Sequence, residues 1–129
     1  MAQSGEQQIR HSNPDTHPEH RVGTRLLFEN DRVRVWEMVL RPGEESTRHV
    51  HESDYLFVYL TRSKLALMEE HKEPETSEQA PGFVQYTEVG SGITHAVKNV
   101  GDGDHREILV ELKGPSRVSY PAEPQTNEA

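Results

Sequence analysis

The sequence feature that most constrains the fold is a series of short runs rich in β-branched and aromatic residues, spread over residues 24–113 and separated by turn-forming residues. No segment here keeps apolar residues at helical spacing, and no repeat of about 20 to 50 residues is present. The predicted strands span residues 25–29, 33–40, 46–51, 54–61, 64–70, 83–89, 94–100 and 106–112. About eight short strands with closely spaced turns predict an all-β protein, and we favour a single-domain jelly-roll barrel.

Polar segments flank this region on both sides. Residues 1–23 contain Ile9 and Val22 as their only branched aliphatic side chains, too little apolar surface to offset the entropy of ordering. We therefore expect residues 1–23 to be a polar N-terminal arm, disordered or packed on a partner, and residues 24–113 to form the barrel. Residues 114–129 are again rich in polar residues and proline, which predicts a flexible C-terminal tail.

Two connections follow from turn chemistry. Residues 71–81 are polar, acidic and proline-bearing, and we expect them to be the main loop. The Gly-Asp-Gly-Asp run at residues 101–104 predicts a hairpin between the strands at 94–100 and 106–112, because Asp-Gly favours tight hairpin turns.

Charge and composition exclude several partners. The formal net charge is −8 and the mean hydropathy is −0.86, which argues against binding to nucleic acid or to an anionic membrane surface. No apolar run approaches the ~20 residues of a bilayer span, and the N-terminal residues lack the apolar region of a signal peptide. We expect a soluble cytoplasmic protein with neither nucleic-acid nor membrane partners.

Three histidines predict a metal site. Alternate side chains of a strand share a face, so His49 and His51 can reach one ion, and His95 comes from a distant strand. The chain has no cysteine, which leaves nitrogen and oxygen as ligands. Imidazole suits Fe, Mn, Ni, Zn or Cu, and the sequence does not distinguish among these divalent ions. The alternative is a chance pair of histidines on a strand with His95 as a packing residue.

These residues also carry a family resemblance. Pro42-Gly43 followed by His49-x-His51, and then Gly92-x-x-His95-x-x-x-Asn99, resemble the two sequence motifs of the cupin superfamily. Residues 27–35 together with Asp54-Tyr55 resemble small bacterial cupins of the β-alanine-degradation-like group. The resemblance implies a double-stranded β-helix with one metal ion on His49, His51 and His95. For Asn99, a bond to backbone at the end of a strand is favoured over ligation.

One departure from the motif concerns a ligand. Cupins usually carry a glutamate four or five residues after the second histidine, where this chain has Tyr55 and Leu56. Tyr55 shares a strand face with His51, so we expect its hydroxyl to hydrogen-bond a molecule at the metal and to serve as a catalytic proton donor. The alternative, held equally, is a ring that fills the barrel with its hydroxyl bonded to another strand.

Two further side chains are candidates for substrate binding. Arg106 shares a face with Ile108 and Val110, so an apolar barrel lining would turn Arg106 inward and His105 outward. An inward arginine can clamp a carboxylate, although an ion pair at the rim is the favoured alternative. Gln85 lies among apolar strand residues and is a second pocket candidate.

The predicted function is an enzyme that acts on a small oxygenated molecule at a three-histidine ion. Three-histidine cupins without the glutamate resemble the thiol and diketone dioxygenases, which favours an oxidoreductase. The alternatives are a metal-dependent lyase, isomerase or decarboxylase, or a module that binds or senses a small molecule without turnover. We also expect a homodimer, because strands that are apolar on both faces, such as residues 56–60, leave an outer sheet surface to cover.

Overall fold

The computed structural model describes residues 20–117, and in that part of the chain nine β-strands form. They are β1 (Arg25–Glu29), β2 (Val33–Leu40), β3 (His49–His51), β4 (Asp54–Tyr59), β5 (Ser63–Glu69), β6 (Glu75–Gln79), β7 (Val84–Thr87), β8 (Ile93–Asn99) and β9 (His105–Leu112). Within this range no helix has the length and apolar character that a membrane span requires. The all-β prediction is confirmed.

Two antiparallel sheets make up the barrel. One sheet has the strand order β1-β2-β9-β4-β7 and the other has the order β3-β8-β5-β6. Their inner faces meet, as the stacking of the His51 ring of β3 on the Tyr55 ring of β4 shows, with centroids 4.0 Å apart. Buried side chains of the larger sheet and its flanks form the apolar core, namely Val22, Trp36, Tyr55, Val89 and Leu109.

Strand β6 corrects the prediction of a continuous loop over residues 71–81. Glu75–Gln79 pairs with β5 at the edge of the four-stranded sheet, and four of its five residues are exposed. An edge strand that buries neither face needs no apolar alternation, so its sequence resembles that of a loop. Its acidic side chains also discourage pairing with other chains at the open edge.

The predicted hairpin at residues 101–104 is wrong. Strand β8 pairs with β3 and β5, whereas β9 pairs with β2 and β4, so the turn carries the chain from one sheet to the other. Asn99, fully buried, holds this crossing: its Nδ2 donates to the carbonyls of Leu40 (2.9 Å) and Gly103 (2.8 Å), and its Oδ1 accepts from the Gly101 amide (2.9 Å). These bonds to backbone agree with the favoured interpretation of Asn99.

The packed domain begins before residue 24. Val22 is fully buried in the core, and the Arg21 guanidinium lies 5.1 Å above the centre of the Trp36 ring. Gly23 permits this close approach, because a Cβ there would lie 2.6 Å from the Trp36 Cβ. The rest of the predicted arm, residues 1–19, and residues 118–129 of the predicted tail lie outside the described residues.

Candidate metal centre

The side chains of β3 and β8 bring three imidazoles together. His49 lies opposite His95 in the β3–β8 pairing, and His51 follows His49 on the same inward face because side chains alternate along a strand. The three ring centroids are 4.7–4.8 Å apart, and one nitrogen of each ring lies within 4.8 Å of the others. All three rings are buried. The predicted convergence of His49, His51 and His95 is therefore present.

Burial keeps these imidazoles neutral. Desolvation lowers the pKa of His95 from its ordinary value of 6.5 to about 3, and repulsion from the Arg48 guanidinium and from His49 when it is protonated adds to the effect. The pKa of His51 lies well below 6.5, chiefly because the ring is desolvated, and burial also lowers the pKa of His49. A neutral imidazole is the form that coordinates a metal ion.

The ring nitrogens fit a metal ion. His49 Nδ1 lies 2.9 Å from the Thr47 carbonyl oxygen, a bond in which Nδ1–H donates and which leaves the Nε2 lone pair available. His51 Nδ1 is buried and has no hydrogen-bond partner among residues 20–117, an arrangement that costs free energy unless a cation or ligand satisfies the atom. Three neutral nitrogen donors suit Fe, Mn, Ni, Zn or Cu.

A cavity of about 230 Å³ adjoins the three histidines. Its walls come from both sheets and are largely apolar or aromatic, with Tyr55, Phe57 and Tyr59 of β4 in a row along one side. Polar lining groups include Gln85 and Thr87 of β7 and the carboxylates of Glu69 and Glu107. A concave, largely apolar cavity with a few converging polar groups is typical of a small-molecule site.

Tyr55 lies between the metal centre and the cavity. Its ring stacks on His51 with an interplanar angle of 18°, and its hydroxyl is hydrogen-bonded with the Thr87 side chain on β7. Burial raises the pKa of this phenol above its ordinary value. The bond to Thr87 agrees with the packing alternative for Tyr55, while the ring contact also places Tyr55 against a candidate ligand.

Strand β9 corrects the predicted orientation of Arg106. Its inward face carries His105, Glu107, Leu109 and Glu111, so His105 is fully buried while Arg106 points outward. Arg106 Nη1 lies 3.4 Å from a carboxylate oxygen of Glu37, and its side chain is 47% exposed, which is the rim ion pair favoured as the alternative. Arg106 therefore contributes nothing to the cavity, whereas Gln85 lines it as predicted.

Charged residues occupy the inward face of β9 because each has a partner. His105 Nε2 lies 2.7 Å from a Glu107 carboxylate oxygen, and His105 Nδ1 lies 2.7 Å from Ser63 Oγ. At the other end of β9, Glu111 accepts a bond of 2.8 Å from Trp36 Nε1. Polar side chains whose hydrogen bonds are satisfied can be buried at little cost. They therefore occupy the inward face of β9, where the sequence predicted apolar residues.

Sequence reasoning missed Glu107 and Glu69 as lining residues. The signal in the sequence was the pair His105-x-Glu107, two complementary side chains on one face of a strand. Glu69 ends β5 opposite His95 in the β5–β8 pairing, which brings its carboxylate to the cavity near the histidines.

Comparison with known proteins identifies relatives of the fold. A scan against protein-family models and a search of curated proteins both find no match. A cupin domain from Bordetella pertussis Tohama I is 29% identical, with a TM-score of 0.63 over 69% of this chain and 90% of that one. An RmlC-like cupin family protein with a double-stranded β-helix fold from Methanocaldococcus jannaschii is 20% identical, with a TM-score of 0.58 over 70% of this chain and 79% of that one.

A third structure is similar over the same region. A Cupin 2 conserved barrel domain protein from Salinispora arenicola CNS-205 is 21% identical, with a TM-score of 0.52 over 68% of this chain and 72% of that one. Together with the two-sheet topology, these likenesses confirm the predicted double-stranded β-helix.

Proposed function

The chain is a member of the cupin superfamily, and we propose that it is a metal-dependent enzyme that holds one divalent transition-metal ion on His49, His51 and His95 and acts on a small oxygenated molecule in the adjoining cavity. The observation that carries this proposal is the convergence of three buried, neutral imidazoles at the wall of a cavity of about 230 Å³. Three protein ligands leave coordination positions open to a molecule in the cavity.

The proposed chemistry is that of a dioxygenase. Among the described residues the metal-ligating cluster contains three histidines and no carboxylate, which supports a three-histidine centre. When bound, such an ion supplies Lewis-acid activation of an oxygen atom or, as Fe(II), activation of dioxygen.

The chain's own residues would position the substrate and exclude water. The aromatic row on β4 and the apolar residues of β5 and β8 surround the molecule, and the amide of Gln85 offers a donor and an acceptor. Tyr55 keeps the His51 ring in place by stacking on it. Its oxygen can keep the bond to Thr87 as an acceptor while its proton is donated to the substrate, and we assign proton transfer at Tyr55 as part of the proposal.

Metal binding tests the proposal most directly. We expect protein prepared with Fe(II), Mn(II) or Zn(II) to hold one equivalent by elemental analysis, and His49→Ala, His51→Ala and His95→Ala each to abolish stoichiometric binding. His71→Ala is the matched control, because His71 is an exposed histidine in the turn after β5. If one of the three histidine variants still binds a full equivalent of metal at neutral pH, the substituted histidine is not a ligand.

Turnover is tested with the Fe(II) form. We expect oxygen uptake coupled to one compound in a screen of small acids, amines, thiols and diketones. The variants His49→Ala, His51→Ala and His95→Ala should show no uptake. If compounds bind but no product forms with any of the metals, the protein is a binding or sensing module and not an enzyme.

A further inference from the structure

We infer that the cavity selects a small organic ammonium ion, which is recognised at the end of the cavity formed by Glu107, Phe57, Tyr59 and Phe83. The inference deepens the proposed function, since it rests on the same cavity as a ligand site. It does not depend on the metal, because the recognising groups belong to β4, β9 and the residue before β7.

The charges that line the cavity favour a cation. Two carboxylates, Glu69 and Glu107, belong to its wall, and the described residues that line it include no lysine or arginine. Lys72 and Arg106 do not belong to the wall: Lys72 Nζ is 3.4 Å from Glu69 and its side chain is 68% exposed, and Arg106 pairs with Glu37 on the outer face. An anionic ligand would therefore face two carboxylates.

Glu107 is held in a fixed position. Its residue is 5% exposed, and one carboxylate oxygen lies 2.7 Å from His105 Nε2. His105 is in turn 2.7 Å from Ser63 Oγ, which lies 3.0 Å from Thr61 Oγ1. A carboxylate oriented by buried partners needs little reorganisation when a donor binds, and its electrostatic interactions are stronger in a region poor in water.

Three aromatic rings stand beside this carboxylate. The centroids of Phe57 and Tyr59 are 5.5 Å apart, those of Tyr59 and Phe83 are 5.3 Å apart, and those of Phe57 and Phe83 are 6.1 Å apart. Glu107 lies opposite Tyr59 in the β4–β9 pairing, and its charge contributes to raising the pKa of the Tyr59 phenol after the larger effect of burial. Aromatic rings and carboxylates are groups that bind an ammonium ion, and both line this end of the cavity.

The two ends of the cavity thus define the ligand. The histidine end takes an oxygen atom, and the Glu107 end takes an ammonium group, with apolar and aromatic walls between them. The class is a small amine with an oxygen donor at its far end and a mostly apolar middle.

Three probes of nearly equal size test this class. Tyramine, tyrosol and 3-(4-hydroxyphenyl)propionate share a phenol and differ at the other end, which is an ammonium, an alcohol or a carboxylate. At pH 7 we expect the metal-free protein to bind tyramine about 10-fold more tightly than tyrosol by calorimetry, since bonds to charged groups are stronger than neutral ones, and to bind the carboxylate most weakly. Equal binding of tyramine and tyrosol, or no binding of any probe at millimolar concentration, would overturn the inference.

Substitution of single carboxylates tests which residue causes the preference for tyramine. Glu107→Gln should reduce the advantage of tyramine over tyrosol to about 2-fold or less, because the amide keeps the volume and removes the charge. Glu78→Gln is the matched control: Glu78 is an exposed residue of β6 that pairs with Arg62 and lies outside the cavity wall. An unchanged preference in Glu107→Gln would contradict the assignment of Glu107.

A measurement on the unaltered chain covers the case in which Glu107→Gln does not fold. Nuclear Overhauser effects from the methylene next to the tyramine ammonium should reach the ring protons of Tyr59 and Phe83. Contacts of that methylene with Ile93 or Thr87 instead would place the ammonium at the histidine end and overturn the inference. If the chain binds no metal and yet keeps the amine preference through Glu107, the proposed function fails and this inference stands.

Discussion

At the scale of single residues, Tyr55 serves both the packing of the barrel and the orientation of a candidate ligand. Its ring stacks on His51, and its hydroxyl is bonded with Thr87 on a different strand. We expect Tyr55→Leu to lower metal affinity about 10-fold, because the His51 ring loses the surface that orients it. Competition with a chelator of known affinity measures this.

Tyr55→Phe separates the ring from the hydroxyl. It keeps the stack on His51 and should retain a full equivalent of metal, while the lost bond with Thr87 costs about 1 kcal/mol of the free energy of unfolding. If the hydroxyl also transfers a proton, turnover falls at least ~10-fold. Metal affinity that is the same in Tyr55→Leu and in Tyr55→Phe would show that the stacked ring does not orient His51.

The three buried imidazoles predict acid sensitivity of the metal-free protein. Burial holds the pKa of His95 at about 3 and lowers those of His49 and His51, whereas the unfolded chain titrates near 6.5. Below pH 6.5 the unfolded chain therefore binds protons that the folded chain does not. The free energy of unfolding is at its full value above that pH and falls toward pH 3; His95 contributes about 1.4 kcal/mol per pH unit, and His49 and His51 act in the same direction.

Urea unfolding of the metal-free protein at pH 7 and pH 5 measures this slope. His95→Gln should reduce this slope by an amount that corresponds to about one bound proton. His71→Ala, an exposed control, should leave the slope unchanged. A free energy of unfolding that is the same at both pH values would contradict the assignment.

At the scale of elements, Asp54 joins β4 to two segments that are distant in sequence. One carboxylate oxygen accepts bonds from the Val89 amide (3.0 Å) and Ser116 Oγ (2.5 Å), and the other accepts from the Arg117 amide (2.7 Å). The described start of the C-terminal segment is thereby attached to the barrel beside the core residue Val89.

We expect Asp54→Ala to lower the free energy of unfolding by about 2–3 kcal/mol, because it leaves the buried Val89 amide without its acceptor and releases residues 116–117. Denaturant unfolding measures the change, and Asp104→Ala, at an exposed position before β9, is the control. A loss as small as that of the control would mean that these bonds contribute nothing net to stability.

At the scale of the whole molecule, the larger sheet has an apolar outer side that supports the expected homodimer. Strand β1 lies at its edge and is exposed along its whole length, with Leu26 at 37%, Leu27 at 41% and Phe28 at 54%. Next to it, the outward residues Val35 and Val110 pair across β2 and β9 and are only half-buried. An exposed apolar edge strand is a surface that a second copy covers favourably.

Light scattering at micromolar concentration should therefore give a mass twice the 14.7 kDa of one chain. Phe28→Asp should yield monomers, whereas Val100→Asp should remain a dimer, because Val100 is also apolar and 41% exposed but follows β8, which belongs to the other sheet. A monomeric parent chain, or a dimer that survives Phe28→Asp and dissociates with Val100→Asp, would contradict this interface.

The sequence by itself determined eight of the nine strands of the barrel and the grouping of His49, His51 and His95. Both depend on short-range rules: strands of this length are recognised from β-branched and aromatic runs, and two histidines two residues apart must share a face. His51 and His95 are far apart in the sequence. Their grouping was inferred from the two motifs, which place both residues on strands of one barrel.

Only the tertiary structure decided which face of β9 is inside, that β6 is a strand and that β8 and β9 belong to different sheets. The inward His105 and Glu111 are satisfied by Ser63 and Trp36, 42 and 75 residues away, and no local pattern reveals partners at that separation. Strand β6 buries neither face, so its pairing with β5 leaves no trace in hydrophobic periodicity. Local alternation shows that a strand has two faces, but the partners that satisfy buried polar groups decide which face turns inward.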